Sequence, residues 1–314
     1  MFMNTGQFGQ LVKALRKEHT DKIKGKTWLQ RDLFNEVKKY DKEERDQDII
    51  GRIERGDNVK LSEGFLRALA NALKLTSGER KEFFLAASGI VITHMVRHNY
   101  APEEVLRGLL DRVRAVNLPA YIIDSYCDIV AANRATLELL DLDAAGLNLG
   151  QMINQPFGLN MLQFVFSKKA VAFYRPQMAG NHWNNYIYQN MMIFRTLSLR
   201  YRYTNYFREL WVTLMGYKEF ENAWPAAYYQ QEDHYLDNEH IHFNSVRWGK
   251  LLIYFSTSFT ALTHAGELHF NIYVPSNQTT QEAFVKIINE SAPNEWSQPR
   301  AWPGPEKYSQ IITK

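Results

Sequence analysis

Apolar residues recur at a helical spacing throughout the first ninety positions of the chain. Residues three and four apart share one face of a helix, and a first amphipathic helix is marked by Phe8, Leu11, Val12 and Leu15. The same spacing predicts four more helices, within residues 27–40, 46–57, 66–73 and 76–89. Because nothing here alternates as a strand does, the pattern predicts a small all-helical domain.

Capping residues indicate where two of these helices begin. Thr27 with Gln30, and Thr76 with Glu79, have the spacing of a capping box, in which the side chain and backbone of the two residues hydrogen-bond reciprocally. The pairs predict the starts of the second and fifth helices. The second helix is expected to turn three residues inward, namely Leu29, Leu33 and Val37.

The third helix has the features of an exposed recognition element. Asp46 or Asp48 is expected to cap its first turn, and Gly56 is expected to end it in the left-handed conformation. Ile50 and Ile53 share one face that can dock on a core. The remaining face carries Gln47, Asp48, Gly51 and Arg52.

Beyond residue 119 the pattern becomes mixed. Two short apolar runs, 121–123 and 129–131, flank turn residues and predict a hairpin, after which Asn133 can begin a helix. Residues 181–230 are helical in period and crowded with aromatic side chains, whereas residues 241–274 contain runs of β-branched and aromatic residues between turns. These elements predict helices packed on one antiparallel sheet, so the whole chain is expected to be α+β.

The chain is therefore expected to have four parts. They are a helical domain at 1–90, a helical connector at 91–118, a larger domain at 119–290 and a Pro-rich, extended tail at 291–314. The apolar stripe of the connector either packs on one of the domains or pairs with its copy in a dimer; the pattern does not separate the two.

Charge is distributed unevenly. Residues 1–90 hold 18 Lys and Arg against 14 Asp and Glu, and the remainder holds 19 against 20. A basic excess confined to the N-terminal part fits a DNA-binding head, although a solvated surface would look similar.

Other functional classes find little support. The single cysteine, Cys127, cannot form an internal disulfide and fits a reducing cytoplasm. There is no signal peptide, and no apolar run is long enough to span a bilayer. Neither a nucleophile elbow nor a phosphate-binding Gly-rich loop is present, and Cys127 has no evident activating partner, so no enzyme activity is expected.

The first ninety residues resemble the helix-turn-helix domain of the phage-repressor-like regulators, the xenobiotic-response-element family. The segments that carry the resemblance are "FGQLVKALR", "QRDL", "IIGRIERGD" and "FLRALANALKL". It implies that the third helix enters the major groove of DNA and that Glu54 pairs with Arg16. The DNA-binding residues implied are Gln30, Arg45, Gln47, Asp48, Gly51 and Arg52.

Two features depart from that family pattern. Residues 38–46 form a long charged insertion where the family has a tight turn, and Phe34 stands where the family favours a small residue. Both bear on the docking angle of the third helix. Asp48 either accepts a hydrogen bond from a cytosine amino group or caps the helix.

The larger domain opens like a PAS-type domain and resembles, over 119–290, the ligand-binding domain of MmyB-like transcription regulators. The matching features are "DIVAAN", Trp183, Phe194-Arg195, "EFENAW" and the terminal sheet. The resemblance implies a pocket for a small apolar, fatty-acid-like molecule, which would be the only bound group expected. The residues expected to line it are Asn133, Trp183, Tyr186, Asn190, Phe194, Arg195 and Trp224.

Alternatives remain open for this domain. Arg195 either neutralises a ligand carboxylate or forms a buried pair with a neighbouring acid, and the aromatic residues either surround a pocket or fill a core. His240 and His242 share a strand face, but no metal site is expected. The leading hypothesis is a cytoplasmic, homodimeric regulator that binds double-stranded DNA and an apolar effector. The alternative is a protein-interaction module that binds neither DNA nor a small ligand.

Overall fold

The structure is a computed structural model. It describes residues 5–20, 26–89, 101–141, 159–178, 180–227, 240–263, 266–290, 296–297 and 302. None of the helices in these ranges is long and apolar enough to cross a membrane.

The N-terminal domain consists of five helices. They are α1 (Thr5–Lys17), α2 (Gln30–Val37), α3 (Ile49–Arg55), α4 (Glu63–Ala72) and α5 (Ser77–Ala87). Each contributes large apolar side chains to one core, among them Leu11, Leu33, Ile50, Phe65 and Phe83, all without accessible surface. Burial of about 1.5–3 kcal/mol per side chain holds these short helices together, since helices of this length are marginal alone.

The two predicted capping boxes have different outcomes. At the start of α5, Thr76 Oγ1 accepts from the Glu79 N–H and Glu79 Oε2 accepts from the Thr76 N–H, as predicted. The Thr27 prediction is wrong. The residue before α2 is Leu29, whose N–H donates to the Asp32 carboxylate at 2.7 Å. Leu29 is therefore held outside the core and is 68% exposed, contrary to the inward position expected for it.

The third helix is shorter than the pattern predicted. Asp46 accepts from the Asp48 N–H at 3.0 Å, which forms a turn before the helix begins at Ile49. Asp48 occupies the cap position, but its side chain makes no capping bond, so that expectation is corrected. Gly56 ends the helix at φ 80° and ψ 20°, the left-handed conformation that glycine adopts without strain.

The C-terminal domain combines helices with a sheet. Its helices are α6 (Pro102–Ala115), α7 (Arg134–Leu140), α8 (Gln163–Phe166), α9 (Lys168–Tyr174), α10 (His182–Ser198), α11 (Asn205–Met215), α12 (Lys218–Ala226) and α13 (Gln278–Glu290). Its strands are β1 (Ala120–Asp124), β2 (Ile129–Ala132), β3 (Ile241–Ser245), β4 (Lys250–Thr263), β5 (Gly266–Pro275) and β6 (Trp296–Ser297).

The strands form one sheet in the order β3-β4-β5-β1-β2-β6, and each adjacent pair is antiparallel. Alternate residues face opposite sides. Tyr121 and Ile123 join the large aromatic core beneath α9 to α13, whereas Ala120 and Ile122 join a smaller core on the other face. The predicted α+β class, with an antiparallel sheet covered by helices, is confirmed.

Helix α6 lies within the segment predicted as a connector, and it packs on the sheet. Its Leu109 and Val113 are buried in the smaller core against Ile122 and Phe270. Trp302, from the predicted tail, packs into the same core. Of the two possibilities left open for the apolar stripe, packing on a domain is therefore the one observed.

Candidate functional site

Helix α3, the predicted recognition helix, is tied to its own domain by a buried ion pair. Arg16, at the end of α1, donates from Nε to Glu54 Oε1 at 2.6 Å and from Nη2 to Glu54 Oε2 at 2.9 Å. The pair predicted for these residues is present, and the two side chains are only 8% and 3% exposed. Because its geometry is bidentate, the pair fixes the orientation of α3 relative to α1.

The outer surface of α3 presents few free groups. Gln47 and Arg52 are exposed, as the DNA-contact prediction requires. Asp48 instead receives a hydrogen bond from Arg55 Nη2 at 3.1 Å. Gly51 is buried, and a Cβ placed there would lie 2.6 Å from Asp48 Oδ1. Gly51 therefore permits the close approach of neighbouring side chains and offers no side chain of its own.

Two residues predicted to contact DNA are engaged inside the domain. Gln30 Nε2 donates to Glu54 Oε2 at 2.8 Å, although its side chain lies at the surface. Arg45 is 16% exposed, donates to Asp41 and Ser62, and stacks on the ring of Phe65. The long charged insertion is therefore held against α4 by Arg45, whose guanidinium is engaged inside the domain.

A second buried glutamate joins the two domains. Glu79, on α5, has no accessible surface and accepts from two arginines of the C-terminal domain. Its Oε1 accepts from Arg195 Nε at 2.9 Å and from Arg202 Nη2, and its Oε2 accepts from Arg195 Nη2 at 3.0 Å. Burial by itself raises the pKa of Glu79, but the two guanidinium groups outweigh burial and lower it to about 2. Glu79 is therefore ionised at neutral pH.

The same contact reaches the end of α1. Arg202 Nη1 donates to Glu18 Oε2 at 2.9 Å. Burial raises the pKa of Glu18 to about 7, against the lowering effect of Arg202. Leu199, in the 3₁₀ turn after α10, is fully buried in the core of the N-terminal domain. We call Glu18, Glu79, Arg195, Leu199 and Arg202 the interdomain cluster.

Arg195 therefore has the second of its two expected roles, a buried pair with an acid. Its Nη1 donates to the Trp224 carbonyl at 2.8 Å, so each of the three guanidinium nitrogens already donates to a protein acceptor. Sequence reasoning identified Arg195 but missed Glu79, Arg202 and Glu18 as its partners. The signal in the sequence was a cation within an apolar helix, which indicates that an acidic partner is needed. The identity of that partner could not be predicted, because Glu79 lies 116 positions away in the chain.

Two other predicted pocket residues have structural roles. Asn133 caps α7, accepting from the Thr136 N–H at 3.0 Å, and its Nδ2 donates to the Leu118 carbonyl at 2.7 Å. Asn190 Nδ2 donates to the Tyr186 carbonyl one turn earlier at 2.8 Å. Both amides therefore satisfy backbone groups.

The predicted aromatic residues do come together. Phe194 on α10 lies with its ring centroid 6.0 Å from that of Trp224, and Trp183 lies 6.0 Å from Tyr186. Phe194, Trp183 and Trp224 are buried in the large core. Sequence reasoning missed Tyr121, Tyr254 and Tyr273, which approach Tyr186 from the sheet. The strand register places the three on one face, because Tyr121 pairs with Asn271 and Tyr254 with Pro275, each two residues from Tyr273.

The histidines and the cysteine do not form a chemical site in the described ranges. His182 and His242 stack with ring centroids 3.9 Å apart, an arrangement in which the ring nitrogens do not converge on one point. Among the residues that the structure describes, no group of three metal-ligating side chains occurs. Burial raises the pKa of the Cys127 thiol well above its usual value, so the reactive thiolate is suppressed.

Comparison with known proteins supplies a family for the larger part of the chain. The family model for the MmyB-like transcription regulator ligand binding domain matches residues 103–286, from α6 to within α13. No curated protein matches the chain. The matched region is more than half of the sequence and contains the whole sheet apart from β6. The chain therefore belongs to the family of transcription regulators that carry an MmyB-like ligand-binding domain.

Proposed function

We propose that the protein is a one-component transcription regulator of the cytoplasm. As a homodimer it binds double-stranded operator DNA through the N-terminal helix-turn-helix, and it senses a small apolar, fatty-acid-like effector in the C-terminal domain. The family supports the regulatory role and a ligand-sensing domain. The fold of residues 5–89, with an exposed Arg52 on a firmly anchored third helix, supports the DNA-binding part.

The interdomain cluster is the observation that carries the proposal. It links the aromatic interior to the recognition helix through charged contacts: Trp224 binds Arg195, Arg195 and Arg202 bind Glu79, and Arg202 binds Glu18. Glu18 follows α1 two residues after Arg16, the anchor of Glu54. A sensor and an output domain that meet through a largely buried cluster cannot move independently.

The effector acts in this proposal by changing populations. A ligand shifts an equilibrium only as far as it prefers one of two arrangements. A molecule that enters beside Phe194 and Trp224 contacts the walls that hold Arg195. Its binding therefore favours either the arrangement with the cluster closed or one in which the N-terminal domain is released.

DNA binding is tested by selecting sequences from random double-stranded DNA with the full chain and then titrating a selected duplex by fluorescence anisotropy. Arg52→Ala is expected to weaken binding by about 1–3 kcal/mol if Arg52 reads a base. Arg67→Ala is the matched control, because Arg67 is 66% exposed on α4 and its side chain pairs only with Glu63 among the contacts described. Its affinity should stay within about twofold of the wild type.

Salt dependence separates the proposal from the alternative of a protein-interaction module. Phosphate contacts release counterions, so the logarithm of the affinity should fall linearly with the logarithm of the salt concentration. A chain that enriches no sequence and shows no salt-dependent affinity would favour the interaction module.

Effector sensing is tested on the protein as purified. Organic extraction followed by mass spectrometry should recover a bound apolar molecule, and returning it to the stripped protein should change the DNA dissociation constant. Recovery of no small molecule, together with unchanged DNA affinity across a panel of medium-chain lipids, would count against the sensing role.

A further inference from the structure

The interior of the C-terminal domain contains a group of phenols that the proposed contacts do not use. Tyr121 on β1, Tyr254 on β4 and Tyr273 on β5 lie on the same face of the sheet, with ring centroids 5.4 Å apart for Tyr121 and Tyr273 and 5.2 Å apart for Tyr254 and Tyr273. Tyr186, on α10, approaches Tyr254 and Tyr273 from above the sheet. All four belong to the large core or pack against it.

One polar group beside these phenols has no hydrogen-bond partner within the part of the chain that the structure describes. Trp183 lies one turn before Tyr186 on α10, with its ring centroid 6.0 Å from that of Tyr186. Its side chain is 3% exposed, and its indole Nε1 has no hydrogen-bond acceptor among the residues that the structure describes. A buried donor left without an acceptor costs free energy, so an acceptor oxygen from a bound molecule would be stabilised there.

Among the residues that the structure describes, the surroundings of these groups contain no free cation. The buried cations in the described part of the C-terminal domain are Arg195 and Arg202, and both are bound to Glu79. The groups that act electrostatically on Tyr186 are the phenols of Tyr254 and Tyr273. An ionised carboxylate transferred to this interior would therefore lose its hydration without gaining a counter-charge.

We propose that the interior between α10 and the sheet binds an uncharged apolar molecule through a hydrogen-bond acceptor oxygen, such as the carbonyl of an ester, ketone, amide or protonated carboxylic acid. Trp183 Nε1 and the Tyr186 hydroxyl donate to that oxygen, and the apolar remainder packs among the aromatic rings. This inference rests on the proposed sensing function and specifies the head group of its effector.

The ionisation of the phenols agrees with this geometry. Burial raises the pKa of Tyr121 to about 12 and raises the pKa of Tyr186, Tyr254 and Tyr273 well above the usual value. The site thus remains neutral at physiological pH and supplies hydrogen bonds without charge.

Two probes that each carry a chain of about ten carbons and differ in head group test the inference. The stripped full-length protein is titrated with methyl decanoate and with decyl sulfonate below its micellar concentration, and binding is followed by calorimetry. The ester is expected to bind at least about tenfold more tightly than the sulfonate, which stays charged at every accessible pH.

Variants then locate the head group. Trp183→Phe and Tyr186→Phe each remove one hydrogen-bond donor, and each is expected to weaken ester binding about five- to tenfold. Tyr40→Phe, the same substitution at an exposed position of the N-terminal domain, should leave ester binding unchanged. Tyr186→Phe removes a single oxygen, so it keeps the test valid even if Trp183→Phe fails to fold.

The contrary outcomes are distinguishable. Tighter binding of the sulfonate would overturn the neutral site while leaving the sensing function in place. Ester binding that neither variant weakens would likewise remove Trp183 and Tyr186 from the site. Binding of neither probe would overturn both the site and the apolar-effector function it rests on.

Discussion

Two buried glutamates, Glu54 and Glu79, are both held by arginine, but they connect different parts of the molecule. Glu54 is bound by Arg16 and Gln30, so all three groups belong to the N-terminal domain. Glu79 is bound by Arg195 and Arg202, both from the C-terminal domain. The first glutamate fixes α3 within its own domain, and the second fixes that domain to the C-terminal domain.

The two sites also differ in how well the carboxylate is compensated. The Glu54 carboxylate accepts hydrogen bonds from one arginine and from the neutral amide of Gln30. The Glu79 carboxylate accepts from two arginines and from the backbone N–H of Thr76. Burying a charge stabilises a fold only when its partners are well placed. The larger number of hydrogen-bond donors around Glu79 therefore indicates that the contact between the two domains is stable. An effector that separates the domains would have to overcome this contact.

The largest expected effect is at Glu79. Glu79→Gln leaves two buried guanidinium groups facing one neutral amide, so the free energy of unfolding should fall by about 3–5 kcal/mol. Denaturant unfolding followed by far-ultraviolet circular dichroism measures the change. Glu63→Gln is the matched control, because its side chain is 83% exposed and pairs only with Arg67 among the contacts described; a change of about 0.5 kcal/mol or less is expected there.

The Glu79 substitution also tests the link between the domains. If Glu79 joins them as the contacts indicate, the variant should show separate unfolding transitions for the helical domain and the aromatic domain. A single transition with wild-type stability would contradict the role assigned to the cluster. Addition of an effector should no longer alter DNA affinity in this variant.

A smaller effect is expected at the pair inside the N-terminal domain. Arg16→Met keeps much of the side-chain volume but leaves Glu54 with Gln30 alone, so the free energy of unfolding should fall by about 1.5–3 kcal/mol. DNA affinity should fall as well, since α3 loses its anchor, while the affinity for a probe ester in the C-terminal domain should not change.

A double-mutant cycle isolates the Arg16–Glu54 interaction from the loss of each side chain. Glu54→Gln and the double variant complete the cycle. A coupling energy near zero would show that the bidentate pair contributes no stability, and Gln30 with the apolar core would then have to orient the helix. If Arg16→Met weakened ester binding as much as it weakened DNA binding, the division of roles between the two glutamates would be contradicted.

The contrast between the glutamates also explains what the sequence could predict. Glu54 stands in a motif whose resemblance names its partner, so its pair with Arg16 was expected. Glu79 was expected as a capping residue, which it is. Its second role depends on an arginine 116 positions away, and no local pattern specifies how two domains meet.

Local competition explains the errors within the helical domain. Thr27 has the right spacing for a capping box, but Asp32 accepts from the Leu29 N–H, so the residue that precedes α2 is Leu29, two positions after Thr27. Arg45 lies near α3, but its guanidinium donates to Asp41 and Ser62 and stacks on the ring of Phe65 inside the domain. Helices, strand runs and the aromatic core followed from periodicity, whereas the partners of polar side chains required the folded arrangement.

The smallest effect is a pH dependence at Glu18, which touches the interdomain cluster through Arg202. Burial raises its pKa to about 7 in the folded protein, above the unfolded value of 4.5, so the folded state binds this proton more tightly. Its contribution to stability is therefore present below about pH 4.5 and is lost as the pH rises to about 7. Between these pH values the free energy of unfolding of Glu18→Gln should therefore rise relative to that of the wild type, by about 1–2 kcal/mol.

The comparison must be made between variant and wild type, because two histidines act in the opposite direction. Burial lowers the pKa of His19 and of His269 to about 4 each, so both remove stability as the pH falls from 6.5 towards 4. Urea unfolding at half-unit steps from pH 4.5 to 8 gives the difference, in which the histidine contributions cancel. A difference that stays constant across the window would mean that Arg202 keeps Glu18 ionised throughout, as the two arginines do for Glu79.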